Sequence, residues 1–418
     1  MVRVINARLE RTDVHSRTVR VLLLENIHPD AAALLGKQGY AVETLDRSLG
    51  QEELIARLPG VHMLGIRSGT QVTAAVLDRA PDLLAVGAFC IGTNQIDLDA
   101  AAGRGIAVFN APFSNTRSVA ELVLAELIAL SRRLPEKNAS MHQGRWDKSS
   151  VGAHEVRNRR LGIVGYGNIG SQVSVLAEAL GMSVFFFDTA DKLALGNARR
   201  CGSLDELLGA IDVVTLHVDG RPDNRGLIGA EELARMRRGS LLLNLSRGSV
   251  VDHQALRAAV ETGHLAGAAI DVFPAEPKAP GARFRSALQD LPNVILTPHV
   301  AGSTEEAQED IARFVSGKLH DFAAGGESTL SVNVPGVTLA RQPGTRRLTL
   351  LHTNSPGVLA TVNSILADHD ANIEGQVLGT RGETGYVITD IRGGDIRAAA
   401  RRLQVLPATI RLRVPRAA

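Results

Sequence analysis

The sequence predicts an α/β protein built on open sheets of parallel strands, followed by a smaller α/β tail. Short apolar runs rich in β-branched residues alternate with helix-like patterns through residues 20–322, as in proteins whose parallel strands are joined by helices. The alternation stops at residues 325–342, where Gly, Pro, Ser and Val are scattered without periodicity, and then resumes. At about 150 residues per domain, 418 residues fit two or three domains.

The predicted elements form three groups. The first has strands at residues 20–25, 61–66, 83–86 and 107–109, with helices at 28–38 and 118–134. The second has strands at 161–164, 182–187, 213–217, 241–245, 268–272 and 294–296, with helices at 171–180 and 304–322. The tail has the order β-α-β-β-α-β, with strands at 347–352, 373–380, 385–391 and 409–414 and helices at 357–369 and 396–405.

A glycine pattern joins the strand at 161–164 to the helix that follows it. Gly165 allows a tight turn, Gly167 lets backbone N–H groups approach a pyrophosphate, and Gly170 lets the helix pack on the strand. The next strand ends at Asp188, whose carboxylate can bind ribose hydroxyls and would repel a phosphate there. Such glycine turns also occur without a nucleotide, but with the flanking strands and the acidic residue they predict NAD rather than NADP.

Composition argues against several classes of protein. The 46 basic and 44 acidic residues are spread along the chain, so nothing indicates a nucleic acid or membrane partner. Two cysteines are too few for a disulfide framework and no apolar run is long enough to span a membrane, so we expect a cytoplasmic protein without a metal site. Residues 1–17 lack the apolar core of a secretory signal, and we expect a disordered extension.

Three polar residues follow separate strands of the second group, at the edge where open α/β sheets bind ligands. Arg247 follows the strand at 241–245, Glu276 lies in the turn after 268–272, and His299 follows 294–296. Singly, they are explained as a surface ion pair, a turn acid and a structural histidine. Together they are the groups that hydride transfer at a hydroxyl carbon needs: a proton carrier, a carboxylate that orients it, and a cation for the substrate.

The chain resembles the D-2-hydroxyacid dehydrogenases. The resemblance is carried by residues 165–170, by Ser246-Arg-Gly248, by Asp271-Val-Phe-Pro-Ala-Glu-Pro277 and by Thr297-Pro-His299, with further matching segments at 65–68, 110–121, 144–148 and 195–197. Within the family, it is most similar to bacterial members that oxidise 3-phospho-D-glycerate and carry a C-terminal ACT domain. The resemblance extends from about residue 19 to the end of the chain.

The resemblance implies a role for each site residue. Arg247 and His299 are catalytic, and Glu276 orients the histidine. Contacts with NAD are implied for Gly165, Gly167, Asn168, Ile169, Gly170, Asp188, Leu245, Ser246, Arg247, Asp271, His299, Val300, Ala301 and Gly302. It also implies two Rossmann-like doubly wound domains and a ferredoxin-like tail: a substrate domain at 18–114 and 303–335, an NAD domain at 115–302, a linker at 336–344 and an ACT domain at 345–418.

Recognition of 3-phosphoglycerate is expected from residues that are mostly cationic or polar: Arg67, Ser68, Asn115, Arg117 and Lys148. In similar enzymes Trp146, the only tryptophan, packs into a neighbouring subunit and brings Lys148 to that subunit's site. An ordinary buried tryptophan is the alternative. Gly69 stands where close relatives have a second arginine, so fewer cations are available for a phosphate.

The tail resembles an ACT domain, a small amino-acid sensor. In regulated relatives such domains pair edge to edge and bind L-serine at the seam, and His352, Asn354 and Asn372 match the residues that hold it there. Amides and an imidazole can satisfy both the ammonium and the carboxylate of an amino acid, although solvated caps and turns use the same side chains. We therefore expect self-association as a homotetramer and feedback inhibition by L-serine.

Two alternative functions are open. Another D-2-hydroxyacid dehydrogenase, such as a glyoxylate/hydroxypyruvate or D-lactate reductase, would act without a phosphate on its substrate, and such enzymes usually lack the tail. A nucleotide-sensing binding protein would share the fold but have an inert site. The complete set of Arg247, Glu276 and His299 argues against the second alternative.

Overall fold

The computed structural model describes residues 18–277 and 281–415, and the chain divides into two compact units. One unit comprises Met1–Pro112 and Gln308–Ala418, and the other comprises Phe113–Ala307. The expected extension at 1–17 lies outside the described residues, and the expected domain boundaries stay predictions. Within the described part of the chain, no helix is long and apolar enough to cross a membrane.

Strands and helices alternate along most of the chain. The strands are β1 (Arg20–Leu23), β2 (Ala41–Thr44), β3 (Met63–Ile66), β4 (Ala85–Ala88), β5 (Ala107–Phe109), β6 (Arg160–Val164), β7 (Ser183–Phe187), β8 (Arg199–Arg200), β9 (Val213–Leu216), β10 (Ser240–Asn244), β11 (Leu265–Ile270), β12 (Val294–Leu296), β13 (Arg346–Thr353), β14 (Asn372–Arg381), β15 (Thr384–Arg392) and β16 (Thr409–Arg413). The α-helices are α1 (Pro29–Lys37), α2 (Gln51–Arg57), α3 (Ala74–Asp78), α4 (Leu98–Gly103), α5 (Thr116–Ser131), α6 (Leu134–His142), α7 (Asn168–Ala179), α8 (Leu204–Ala210), α9 (Ala230–Arg235), α10 (His253–Glu261), α11 (Glu305–Gly325), α12 (Val358–Ala367) and α13 (Ile396–Gln404). Two short 3-10 turns lie at Pro222–Asn224 and Gly248–Val250.

The unit Phe113–Ala307 is built on a seven-stranded parallel sheet in the order β12-β11-β10-β9-β6-β7-β8. Helices α5 and α7 share an apolar core with one face of the sheet, and α8, α9 and α10 share a second core with the other. Strands β9 and β10 are therefore buried along their whole length, as central parallel strands usually are. The strand order reverses at β6, and the carboxyl ends of strands at such a point are where open sheets bind ligands.

The other unit contains two sheets. The first is parallel, in the order β2-β1-β3-β4-β5, and the second is antiparallel, in the order β14-β15-β13-β16. Helices α12 and α13 share a core with the antiparallel sheet. Further tail residues pack into the core around α11: Leu351, Tyr386 and Ile388 join Val315, Leu319 and Phe322.

Arginines of the tail bind the C-terminal end of α11. Arg347 is 1% exposed, donates hydrogen bonds to both carboxylate oxygens of the buried Asp390, each at 2.7 Å, and donates another to the carbonyl oxygen of Gly325, the last residue of α11, at 3.1 Å. Arg413 donates to the carbonyl oxygens of Phe322 and Ala323 in the last turn of α11. Cations in this position satisfy free carbonyl groups and complement the helix dipole.

The predicted fold class is confirmed, with differences at the ends of several elements. The strands predicted at 107–109 and 294–296 coincide with β5 and β12. The helix predicted at 118–134 ends at Ser131, because Arg133 adopts a left-handed conformation with φ 54° before α6 begins. Residues 326–345 contain no helix or strand, but they are held in place: the side chain of Asn333 accepts the N–H of Val108 in β5 and donates to the carbonyl of Ile106.

Candidate active site

The glycine turn between β6 and α7 has the geometry that a nucleotide phosphate needs. Gly165 adopts φ +92°, and a Cβ atom there would lie 2.6 Å from the carbonyl oxygen of His217. A Cβ atom on Gly170 would collide with the carbonyl oxygen of Gly165, so only glycine lets α7 approach β6 this closely. Gly167 has open space where a Cβ would project and stands at the N-terminus of α7. A phosphate can therefore reach the free N–H groups of the helix.

Asp188 is fixed directly after β7. Its Oδ2 accepts a hydrogen bond from the N–H of Tyr166 and its Oδ1 from the N–H of Ala190, both at 2.8 Å. Each oxygen keeps a lone pair that can accept a ribose hydroxyl. Asn168 and Ile169 are the first two residues of α7, next to the glycine turn. The residues present at this edge of the sheet therefore fit NAD.

Asp271 organises the turn that carries His299. The Asp271 side chain is completely buried after β11 and accepts hydrogen bonds from the Thr297 hydroxyl at 2.7 Å, the Val300 N–H at 2.8 Å and the Ala301 N–H at 2.9 Å. His299 adopts φ 55°, which a non-glycine residue keeps only when its surroundings hold it. Direct contact between Asp271 and NAD stays a prediction, but these bonds make Asp271 a support of the turn.

His299 and Glu276 form a hydrogen-bonded pair. Nδ1 of His299 lies 2.8 Å from Oε2 of Glu276, and Oε1 of Glu276 accepts the N–H of Phe273 at 3.0 Å. The bond to Glu276 raises the pKa of His299 despite burial, which opposes the charge. Burial disfavours ionised Glu276, but the hydrogen bonds from His299 and Phe273 outweigh it and lower its pKa. The pair therefore favours an imidazolium beside a carboxylate and leaves Nε2 for a substrate.

Arg247 lies close to this pair. A Cβ atom on the next residue, Gly248, would collide with the backbone of Phe273, so this glycine brings the turn after β10 against the segment that leads to Glu276. The positive charge of Arg247 has a smaller effect on both residues than burial and hydrogen bonding have. It contributes to the lowered pKa of Glu276 and opposes the rise in the pKa of His299. Leu245 and Ser246, which precede Arg247, are buried. Three residues predicted to act together are therefore neighbours at one edge of the sheet.

The residues expected to bind substrate are divided between the two units. Arg67 and Ser68 follow β3 in the unit that contains Met1–Pro112, whereas Asn115, Arg117 and Lys148 belong to Phe113–Ala307. Arg117 forms an ion pair with Glu121 at 2.6 Å, and both side chains are exposed. A common role for these five residues stays a prediction.

The surroundings of Gly69 are acidic. The carboxylate of Glu25 accepts hydrogen bonds from the N–H groups of Gly69 at 2.7 Å and Thr70 at 2.8 Å. A Cβ atom on Gly69 would lie 3.0 Å from Oε2 of Glu25 and 3.1 Å from Cβ of Ser48. At this position the resemblance leads us to expect an arginine, but a side chain would require Glu25 and Ser48 to shift, and the carboxylate of Glu25 lies beside it.

Trp146 is 77% exposed, so the alternative of an ordinary buried tryptophan is wrong. Met141 and Val151 of the same segment are also exposed. An ion pair of 2.6 Å between Lys137 of α6 and Asp147 holds the segment. Exposed apolar side chains grouped in this way are typical of a surface that contacts another protein.

The three residues expected to bind serine lie at the ends of strands in the tail. His352 of β13 is 3% exposed; its Nδ1 bonds to the carbonyl of Thr353 at 2.8 Å, and its buried Nε2 has no partner among the described residues. The side-chain amides of Asn354 and Asn372 are exposed and donate to the Gly382 carbonyl and the Glu374 carboxylate. Asn372 begins β14, which forms one edge of the antiparallel sheet.

Two titratable residues near the site, the buried Glu126 and the half-buried His217, were not predicted from the sequence. Glu126 in α5 is 3% exposed, and burial together with the charge of Asp271 raises its pKa to about 8. His217 follows β9, and burial lowers its pKa to about 3, so its ring is neutral. The signal for Glu126 was available, since it is an acidic residue in the buried stripe of an apolar helix. His217 gave no signal, because a histidine after a strand is ordinary.

Two family models match the chain. Residues 124–301 match the model of the D-isomer specific 2-hydroxyacid dehydrogenase, NAD binding domain. Residues 348–411 match the model of the AHAS small subunit-like ACT domain. The first match contains the glycine turn and the residues Arg247, Glu276 and His299, and the second contains all three expected serine residues.

Curated relatives match over almost the whole chain. D-3-phosphoglycerate dehydrogenase from Haemophilus influenzae is 47% identical over 397 residues, which cover 95% of this chain and 97% of the relative. The enzyme of the same name from Escherichia coli strain K12 is 47% identical over 409 residues, which cover 97% of this chain and 100% of the relative.

Solved structures share the fold of the larger part of the chain. The TT0316 protein from Thermus thermophilus has a TM-score of 0.66 and 34% identity, and covers 72% of this chain and 96% of its own. D-lactate dehydrogenase from Aquifex aeolicus, solved with NAD and lactic acid, has a TM-score of 0.63 and 27% identity, and covers 72% of this chain and 95% of its own.

Proposed function

The chain belongs to the D-3-phosphoglycerate dehydrogenase family of NAD-dependent oxidoreductases, and we propose that it oxidises 3-phospho-D-glycerate to 3-phosphohydroxypyruvate. This reaction is the first step of the phosphorylated route to L-serine. One observation carries the proposal: the 2.8 Å pair of His299 and Glu276, with Arg247 beside it, at the same edge of the sheet as a nucleotide-binding turn.

In the proposed reaction, His299 acts as the proton carrier. Its neutral ring takes the hydroxyl proton of the substrate at Nε2 during oxidation, and its imidazolium returns that proton during reduction. Glu276 holds Nδ1 and stabilises the charge that develops on the ring. Arg247 binds the substrate carboxylate through its planar guanidinium and polarises the reacting oxygen. NAD, when bound, accepts the hydride in oxidation and its reduced form returns it.

We propose that the cofactor is held by the residues of the glycine turn and of the neighbouring strand ends. Gly165, Gly167 and Gly170 allow the pyrophosphate to approach, Asn168 and Ile169 contact it at the start of α7, and Asp188 binds the adenosine ribose. Leu245, Ser246, Asp271 and the turn of His299, Val300, Ala301 and Gly302 complete the site.

Identity with phosphoglycerate dehydrogenases along nearly the full chain supports the phosphorylated substrate. We assign its recognition to Arg67, Ser68, Asn115, Arg117 and Lys148. A second candidate is reduction of hydroxypyruvate or glyoxylate. One observation favours it: the carboxylate of Glu25 lies beside Gly69, and its negative charge would repel the phosphate of a phosphorylated substrate bound there. Unphosphorylated acids would be less affected by that charge.

The ACT domain is the basis for proposed regulation by L-serine. His352 provides a buried ring nitrogen without a partner among the described residues, and the exposed amides of Asn354 and Asn372 provide donors and acceptors for an amino acid. We propose that β14 pairs with β14 of a second copy, that Trp146 makes another contact between copies, and that the enzyme is a homotetramer. A cytoplasmic location is proposed because two cysteines are too few for a disulfide framework.

The deciding experiment follows NADH absorbance with 3-phosphohydroxypyruvate, hydroxypyruvate, glyoxylate, pyruvate and 2-oxoglutarate, each with and without L-serine. The proposal requires the highest kcat/KM with the phosphorylated acid. His299→Ala should lower turnover about a hundredfold or more while NADH still binds, given the size of general acid–base effects. Arg247→Lys should also fail, because an ammonium cannot reproduce the planar fork. Equal kcat/KM for hydroxypyruvate and its phosphate would favour the second candidate.

A further inference from the structure

We propose that Glu126 is a positioning residue for His299 and acts through Asp271. The turn that carries His299 keeps its position only while the carboxyl group of Glu126 carries a proton. The inference rests on the proposed function, because His299 is the residue whose position is at stake. The inference adds Glu126 of α5, a helix that contains none of the three residues proposed to act in the chemistry.

Helix α5 packs against β10, β11 and β12, the strands that precede Arg247, Asp271 and His299 in turn. The hydroxyl of Ser118 in α5 bonds to the hydroxyl of Thr304 at 2.9 Å. The side chain of Asn115, directly before the helix, lies so close to Gly302 that a Cβ atom there would collide with it. The first turns of α5 therefore support one end of the segment 297–304.

Glu126 lies farther along α5, beside the other end of this segment. Its side chain is 3% exposed, and neither carboxyl oxygen has a hydrogen-bond partner among the described residues. After burial, the charge of the Asp271 carboxylate acts to raise the pKa of Glu126, and the nearby Thr297 hydroxyl, which donates its hydrogen bond to Asp271, acts to lower it. Val173 and Ala177 of α7 and Leu241 and Leu243 of β10 share an apolar core with α5. The charge of Asp271, and not that of Glu126, contributes to the raised pKa of His299.

The two carboxyl groups differ in their hydrogen bonds. Asp271 accepts three of them from the turn that carries His299. Glu126 has no such set of donors among the described residues, and burial, followed by repulsion from Asp271, raises its pKa to about 8. At neutral pH the Glu126 carboxyl group is therefore mostly protonated.

Loss of the proton from Glu126 would place a second negative charge against Asp271 in a buried site. Like charges in such a site repel strongly, so the Asp271 carboxylate would move and its three bonds to the turn would weaken. The turn carries His299, and it also carries Val300 and Ala301, which bond to Asp271 through their N–H groups and are assigned above to the NAD site. NADH affinity and catalysis should therefore fall together as Glu126 ionises.

The test compares NADH affinity across pH in the full-length wild-type protein and in Glu126→Gln, whose amide has the same shape but stays neutral. One pH unit above the pKa of Glu126, about one wild-type molecule in eleven keeps the proton, so the Kd for NADH should rise about tenfold. Glu126→Gln should show no such rise. Glu121→Gln is the matched control, because Glu121 is an exposed residue of the same helix, and it should follow the wild type. An equal rise in Glu126→Gln and wild type would overturn the proposal.

If the Glu126→Gln variant fails to fold, a second measurement, made on the wild-type protein, still tests the proposal. Because burial raises the pKa of Glu126 to about 8, the infrared band of a protonated carboxyl group should be present at neutral pH and disappear at alkaline pH. Asp271→Asn should move this change to lower pH by removing the repulsion. Absence of the band at neutral pH would also overturn the proposal. Neither measurement uses 3-phosphoglycerate, so a wrong assignment of substrate would leave both results intact.

Discussion

Replacing Glu276 by Gln tests the pair that carries the proposed chemistry. The amide has one oxygen, so either the N–H of Phe273 or Nδ1 of His299 loses its acceptor, and the negative charge is removed. A hydrogen bond to a charged group contributes about 1.5–3 kcal/mol. His299 and Glu276 are 51% and 35% exposed, so solvent screens the pair and the lower limit applies. Turnover should therefore fall about tenfold, at about 1.4 kcal/mol per factor of ten.

The pH dependence of Glu276→Gln has a definite sign. Reduction needs the imidazolium, so its rate is full below the pKa of His299 and falls as pH rises through it. Glu276 raises that pKa, and the variant should therefore lose reductase activity at a lower pH than the wild type. The assay is NADH oxidation by 3-phosphohydroxypyruvate over a pH series at saturating substrate.

Glu261→Gln is the matched control for this prediction, because Glu261 is an exposed acid of the same unit, paired with Arg257 at 2.7 Å. It should keep both the wild-type rate and the pH at which wild-type reductase activity falls. If the activity of Glu276→Gln also fell at the wild-type pH, the carboxylate would not be setting the pKa of His299, and its assignment as the orienting group would be refuted.

Three further predictions follow from the structure. Asp188→Ala should weaken NAD binding and raise the relative use of NADP, measured as the ratio of kcat/KM values; a wild type that prefers NADP would contradict the role of Asp188. Arg347→Met leaves the Asp390 carboxylate buried without its partner, so the free energy of unfolding in urea should fall by about 3–5 kcal/mol, and a loss below about 1 kcal/mol would contradict it. Asn354→Ala combined with Asn372→Ala should remove inhibition by L-serine without changing uninhibited turnover, and a serine titration of NADH oxidation that still shows inhibition would place the effector elsewhere.

The sequence predicted the elements and residues whose pattern is local. Gly165 and Gly170 could be recognised because no side chain fits at either position, and this requirement depends on one turn between one strand and one helix. Arg247, Glu276 and His299 could be grouped because each follows a parallel strand, and parallel strands end at the same edge. Their proximity was therefore a consequence of topology.

Contacts between distant segments could not be predicted in this way. Glu25 reaches Gly69 across 44 residues of sequence, and the three bonds of Asp271 to the turn that carries His299 span 26 to 30 residues. Neither Glu25 nor Asp271 differs in type from an ordinary surface or turn acid. Only the pairing of the strands decides which backbone N–H groups such a carboxylate meets, and the pattern of a single sequence does not contain that information.

The tail packs on α11, so serine inhibition can be tested more clearly by point substitutions in the tail than by removing the tail. A chain ending near Gly336 would lack Leu351, Tyr386 and Ile388, which share a buried core with Leu319 and Phe322 of α11. It would also lack the two arginines that bind carbonyl groups at the end of this helix. Insensitivity to serine in such a chain would therefore have two explanations, loss of the effector site and damage to the helix. Exposed amides such as those of Asn354 and Asn372 can be removed without uncovering this core, so point substitution, not truncation, separates the two.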